Sequence, residues 1–157
     1  MKLVSFLFSL LISLSFSAFA AETSSVHLTP EGFWKTIDDI TGKPRSILEI
    51  REEKGELSGK VIKVFTKPDE EQIKVCKACD GSRHNQPIIG MVIMQGLKAN
   101  LKNPNEWGAG EILDPKTGKI YHCSMQLMDK GQTLKVRGYL GISLFGRTQT
   151  WVRVDPE

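Results

Sequence analysis

Lys119-Ile120-Tyr121-His122-Cys123-Ser124-Met125-Gln126-Leu127-Met128, then Asp129-Lys130-Gly131-Gln132, then Thr133-Leu134-Lys135-Val136-Arg137-Gly138-Tyr139-Leu140 reads as two strands joined by a tight turn. Tyr121, Cys123, Met125 and Leu127 recur at every second position, with His122, Ser124 and Gln126 between them. A period of two marks a pleated strand with one face buried. The connector has the matching chemistry, because aspartate bonds nearby backbone and glycine takes φ > 0.

The same grammar extends both ways along the chain. In the last strand, over 147–154, Arg147, Gln149, Trp151 and Arg153 share one face, and Thr148, Thr150, Val152 and Val154 the other. Asp114-Pro115-Lys116-Thr117-Gly118 is a second turn, and Glu53-Lys54-Gly55-Glu56 a third. Further strands are predicted over 32–36, 46–52, 57–65, 88–95 and 110–113. Gly59, Gly90, Gly110 and Gly138 fall where a small barrel bends its strands. The best helical candidate is 68–79, with Asp69-Glu70-Glu71 as an acidic first turn. The predicted fold is all-β: a single small antiparallel up-and-down β-barrel of about eight strands, with at most a short helix near 68–79. Closure removes exposed edges. An open β-sandwich is the alternative.

The N-terminus carries Lys2, an apolar run over 3–16, and Ser17-Ala18-Phe19-Ala20-Ala21. Small residues at Ala18 and Ala20 predict a signal peptide over 1–20, cleaved after Ala20, and hence export to the periplasm or beyond. The mature chain over 21–157 forms one domain, with 21–30 a loose leader. It can bury roughly two-thirds of its extended surface. The formal charge is +3, and loss of Lys2 makes it +2, with both signs interspersed. No basic stripe marks a nucleic-acid partner, and the mature chain has no apolar run of spanning length. The pattern sets no oligomeric state.

Several phrases resemble a family of exported bacterial proteins, domain-of-unknown-function family 2147. They are Gly32-Phe33-Trp34-Lys35-Thr36, Thr41-Gly42-Lys43-Pro44, Cys76-Lys77-Ala78-Cys79, Pro87-Ile88-Ile89-Gly90, Gly110-Glu111-Ile112-Leu113-Asp114-Pro115, Gly118-Lys119-Ile120-Tyr121, Arg137-Gly138-Tyr139-Leu140-Gly141 and 146–153. This resemblance implies no chemistry. The chain ends also resemble a lipocalin, in which Gly-x-Trp on the first strand meets an arginine near the last. That resemblance assigns structural closure to Gly32, Trp34 and Arg153 (or Arg147). A guanidinium stacked on indole would pin the first strand to the last.

Three cysteines are the sharpest chemical feature. In an oxidising compartment a disulfide is the default. A Cys76–Cys79 bond closes a tiny loop and contributes about 2 kcal/mol, whereas a bond to Cys123 closes a long one and contributes roughly 4 kcal/mol. Proximity favours Cys76–Cys79 as a clamp on the long connection over 68–87, leaving Cys123 on the buried face. A redox role needs a lowered thiolate pKa, usually from a helix N-terminus in a thioredoxin-like setting, and this chain has no βαβ pattern to supply it. Zinc needs a fourth ligand, His84 or His122, beside all three cysteines, and no second close pair is present. No metal and no cofactor is expected.

The second feature is Arg137, Tyr139, Arg147, Gln149 and Trp151. If both strands turn these residues inward, two guanidiniums and a phenol call for an anion, which arginine grips in bidentate fashion. The expected partner is therefore a small anionic or lipid-like ligand, with Met91, Met94, Met125 and Met128 as adaptable lining. Otherwise these side chains lie outside, or pair with Glu49, Glu111 or Asp114. Catalytic patterns are weaker: His27, His84 and His122 are scattered, Asp114 reads as a turn residue rather than a general base, and Trp107 either roofs a cavity mouth or, as favoured, fills core. The rival functions are a filled barrel acting as an envelope interaction module, and a small thiol oxidoreductase or hydrolase.

Overall fold

In the computed structural model, which describes residues 28–65 and 74–155, eight antiparallel strands pair in chain order and close on themselves. They are β1 Gly32–Ile37, β2 Pro44–Glu53, β3 Glu56–Val64, β4 Val92–Asn100, β5 Asn103–Asp114, β6 Lys119–Met128, β7 Thr133–Tyr139 and β8 Arg147–Val154. β8 returns to β1 through Phe33↔Val154, Trp34↔Arg153 and Lys35↔Val152. Each of these strands therefore has two partners, and none is left as an edge. That closure excludes the open sandwich. The expected signal segment over 1–20 and most of the expected leader lie outside the described residues.

The largest departure from the sequence reading is the β4–β5 pair. The expected strands at 88–95 and 110–113 are shifted and lengthened, to Val92–Asn100 and Asn103–Asp114. Each carries an extra residue in the left-handed region, Gly96 at φ 72° and Ala109 at φ 59°. Buried positions then fall three apart, Met94 with Leu97 and Trp107 with Gly110. A bulge breaks strict alternation, so a period-two search passes over both strands. At Gly110 any side chain is excluded, since a Cβ would lie 2.4 Å from Leu97 Cγ and 2.8 Å from the Gln95 carbonyl oxygen.

The core occupies the lumen. Trp34, Leu48, Ile50, Leu57, Val61, Met94, Leu97, Cys123 and Leu134 are each at most 1% exposed, and Trp151 is 2% exposed. Met125, Leu127 and Val136 complete the packing. Such burial of aliphatic and indole surface is the main stabilising term.

The connection into β4 folds against the barrel. Cys76 and Cys79 are joined in a disulfide, and both are buried. Cys76 N–H donates to the Gln86 carbonyl, Ile88 N–H donates to the Lys74 carbonyl, and Val75 bridges Pro87. These pairings use the backbone that a helix would need, so 74–79 is not helical; 68–73 lie outside the described residues. Single 3-10 turns occur at Gly81–Arg83, Asp129–Gly131 and Ser143–Phe145.

Candidate functional site

The two ends of the barrel differ. At the closed end the turns are short and the segment over 29–31 lies against Trp34 and Arg153. Trp34 Nε1–H donates to the Pro30 carbonyl at 2.7 Å. The Arg153 guanidinium sits 4.3 Å from the Trp34 ring centroid. It donates to the carbonyls of Glu31 at 2.7 Å, Thr29 at 2.7 Å and Gly131 at 2.5 Å. Burial pulls the Arg153 pKa down, which is why the charge needs three carbonyl acceptors around it. Gly32 leaves room for this clasp: its φ is 124°, and a Cβ would stand 2.7 Å from Arg153 Nη1. Gly32, Trp34 and Arg153 thus converge. The last residues of the leader, Thr29 and Pro30, are tied down rather than loose.

At the open end stand the β1–β2, β3–β4, β5–β6 and β7–β8 connections. Here the expected five-residue cluster divides. The register sets Gly138 opposite Arg147 and Arg137 opposite Thr148. Odd residues of β8 point inward with Trp151, whereas even residues of β7 point inward with Leu134 and Val136. Arg137 and Tyr139 therefore lie on the outer surface, a correction to the inward reading. Tyr139 stacks on His122 at 5.4 Å between ring centroids. Arg137 donates to the Ser143 carbonyl at 2.9 and 2.6 Å, to the Leu144 carbonyl at 3.1 Å and to Thr148 Oγ1 at 2.7 Å. Its donors brace the β7–β8 loop and face no lumen.

Arg147 and Gln149 do belong to the mouth. Arg147 grips Asp39 from the β1–β2 loop with two bonds, Nη2 to Oδ1 at 2.6 Å and Nε to Oδ2 at 3.1 Å. That guanidinium lowers the Asp39 pKa and has its own raised in return. Gln149 Oε1 accepts from Trp151 Nε1–H at 3.1 Å, so the buried Trp151 supports the floor. Thr36 and Ser46 share a hydroxyl–hydroxyl bond at 2.9 Å. Tyr121 lies on the inward-facing row of β6. The upper lumen thus sets polar side chains over an apolar plug.

Sequence reasoning missed the rim. Ile40 is 79% exposed at the tip of the β1–β2 loop, and Leu140, Ile142, Leu144 and Phe145 are 58%, 61%, 77% and 79% exposed along the β7–β8 loop. The available signal was Leu140-Gly141-Ile142-Ser143-Leu144-Phe145-Gly146, an apolar connector where turns are ordinarily polar.

Other chemistry is dispersed. Cys76 and Cys79 are spent on each other, and Cys123 faces the lumen 3.9 Å from Met94 Sδ, its thiol pushed up to about 12 by burial. A zinc site uniting the three cysteines has no geometry here, and no group of three or more His, Cys, Asp or Glu is placed to hold a metal among the described residues. His84 Nδ1 pairs with the Cys79 carbonyl at 2.9 Å, far in role from His122 on the outer wall. A shallow surface depression of about 390 Å³ is lined by Arg83, Gln86, Pro87, Ile89 and Met91, on the β3–β4 connection. Trp107 is core, at 7% exposure.

Comparison with known proteins gives two matches. The family model described as uncharacterized protein conserved in bacteria (DUF2147) matches residues 32–153. A solved structure from the human pathogen Helicobacter pylori, described as belonging to the lipocalin family, superposes with a TM-score of 0.68. It is 21% identical and covers 82% of this chain and 84% of that one. A search of curated proteins finds no match.

Proposed function

Because this chain belongs to the bacterial family DUF2147 and folds as a lipocalin-like barrel, we propose that it is an exported protein that holds a small amphipathic molecule at the open end. One observation carries this reading: the lumen is divided. Its closed end and middle are filled by Trp34, Leu48, Met94, Leu97 and Trp151, whereas its mouth offers Thr36, Ser46, Gln149 and Arg147 beneath an apolar rim. Such a mouth receives a polar head, and the rim takes an acyl or ring system of limited length. An anionic head exchanges with Asp39 on Arg147, since Arg137 is committed to the loop. Export is supported by Lys2, the apolar run over 3–16 and the small residues Ala18 and Ala20.

A titration with dodecanoate followed by amide NMR tests the site. Shifts should concentrate at Thr36, Ser46, Tyr121, Arg147 and Gln149. Arg147→Ala should weaken dodecanoate roughly fivefold, as expected for one partly exposed charged contact. Shifts confined to other parts of the wall would refute it. The filled barrel favours a second reading, an interaction module with no small ligand, and a flat titration supports that one. A thiol oxidoreductase gains nothing from the structure, because both disulfide sulfurs are shielded from an attacking thiolate.

A further inference from the structure

We propose that the open end docks on an anionic lipid bilayer, inserting the β7–β8 loop and the tip of the β1–β2 loop. This stands apart from the ligand reading and does not need it.

Exposed apolar loops are normally flexible or hidden, but these are held out. Arg137 ties its guanidinium to the Ser143 and Leu144 carbonyls, fixing the turn that presents Leu144 and Phe145. Asp38 does the same for the other tip. Its carboxylate accepts from Ile40 N–H at 3.2 Å, Thr41 N–H at 2.7 Å, Thr41 Oγ1–H at 2.9 Å and Arg45 at 2.8 Å, presenting Ile40. The Arg147–Asp39 pair then staples one loop to the other. Two apolar tips in one braced unit lose little freedom on insertion, which favours binding.

Charge selects the partner. Lys43, Arg45, Lys116, Lys119 and Arg147 are exposed at this same end. Of the acids at this end, Asp38 and Asp39 balance Arg45 and Arg147, Asp114 accepts from Lys116 N–H and Thr117, and Asp80 is exposed on the same connection as the exposed Lys74, so Lys43, Lys116 and Lys119 leave the end basic. Protruding aliphatic and aromatic tips ringed by bases fit the interface of an anionic bilayer, where apolar side chains enter and cations meet headgroups.

The test uses the full chain as recovered from the producing cell, with a tryptophan placed at either end. The native Trp34, Trp107 and Trp151 are buried and give a constant background. Phe145→Trp should be quenched by brominated lipid in phosphatidylglycerol-rich vesicles, weakly so in phosphatidylcholine and in high salt. Leu101→Trp, on the fully exposed β4–β5 turn at the opposite end, should not be quenched. Both variants share the N-terminal run, so quenching through that segment does not separate them. Adding Ile142→Asp and Leu144→Asp to Phe145→Trp should lower partitioning roughly tenfold or more, with the melting temperature unmoved. Equal quenching at both ends, no quenching at either, or partitioning indifferent to the aspartates overturns the proposal. So does a concentration-dependent dimer that the aspartates abolish, which assigns the face to a second copy.

Discussion

Truncating Arg153 to alanine removes four interactions at once. It loses the stack on Trp34 at 4.3 Å and three bonds to the carbonyls of Thr29, Glu31 and Gly131. A bond from a charged donor contributes about 1.5–3 kcal/mol where the acceptor stays buried, and less where water replaces it. Thr29 is exposed and Gly131 is buried, so roughly 1 kcal/mol per bond is the fair mean here. The stack adds about 1 kcal/mol. The sum is about 4 kcal/mol, and for a domain of this size each kcal/mol moves the melting temperature by roughly 3–4 °C. Arg153→Ala should therefore melt about 12–16 °C lower by near-ultraviolet circular dichroism, with the Trp34 signal altered before the transition. Arg153→Lys keeps the charge but not the planar fork, and should recover less than half of the loss. A shift below about 4 °C for the alanine variant, or full recovery by lysine, would show that closure rests on strand pairing and core alone.

The same geometry sets the outcome of other perturbations. Thiol titration should find no reactive group in the native protein and one, Cys123, after non-reducing denaturation. The Cys123 thiol pKa is raised from 9.0 to about 12, so the unfolded chain loses its proton first. Stability should then fall between about pH 9 and 12, by up to roughly 1.4 kcal/mol per pH unit. Hydrogen bonds from Thr41 and Arg45 hold the Asp38 carboxyl well below the usual carboxylate range, and Arg147 lowers that of Asp39. Their contribution is complete above the ordinary carboxylate pKa and is lost as pH falls below it, a loss that Asp38→Asn should shrink in acid melts. Gly32→Ala brings a Cβ to 2.7 Å from Arg153 Nη1 at a φ of 124°; a cost of about 2 kcal/mol is expected in urea titration, and a neutral result would mean the clasp can shift.

How far the molecule can be read in advance varies strand by strand. β6 is plain because Tyr121, Cys123, Met125 and Leu127 keep strict alternation and its turns are short. The all-β barrel rests on that repeated grammar. β4 and β5 are obscured because Gly96 and Ala109 shift the buried positions by one, and because Asn103-Pro104-Asn105 has the composition of a loop. The mouth is harder still. On β7 the inward row contains Gly138, which carries no apolar signal, so Arg137 and Tyr139 are as eligible as their neighbours. The seven-residue connector over 140–146 then leaves the phase between β7 and β8 open. Phase is a property of the register, and only paired coordinates supply it.

The clasp also bears on how the barrel can be made. Trp34 and Arg153 stand at opposite extremes of the folded sequence, so their meeting is among the last contacts a growing polypeptide can form. Until β8 arrives, both β1 and β7 present unpaired edges, and such an intermediate invites strand exchange with its neighbours. The final strand is the one that removes both edges at once.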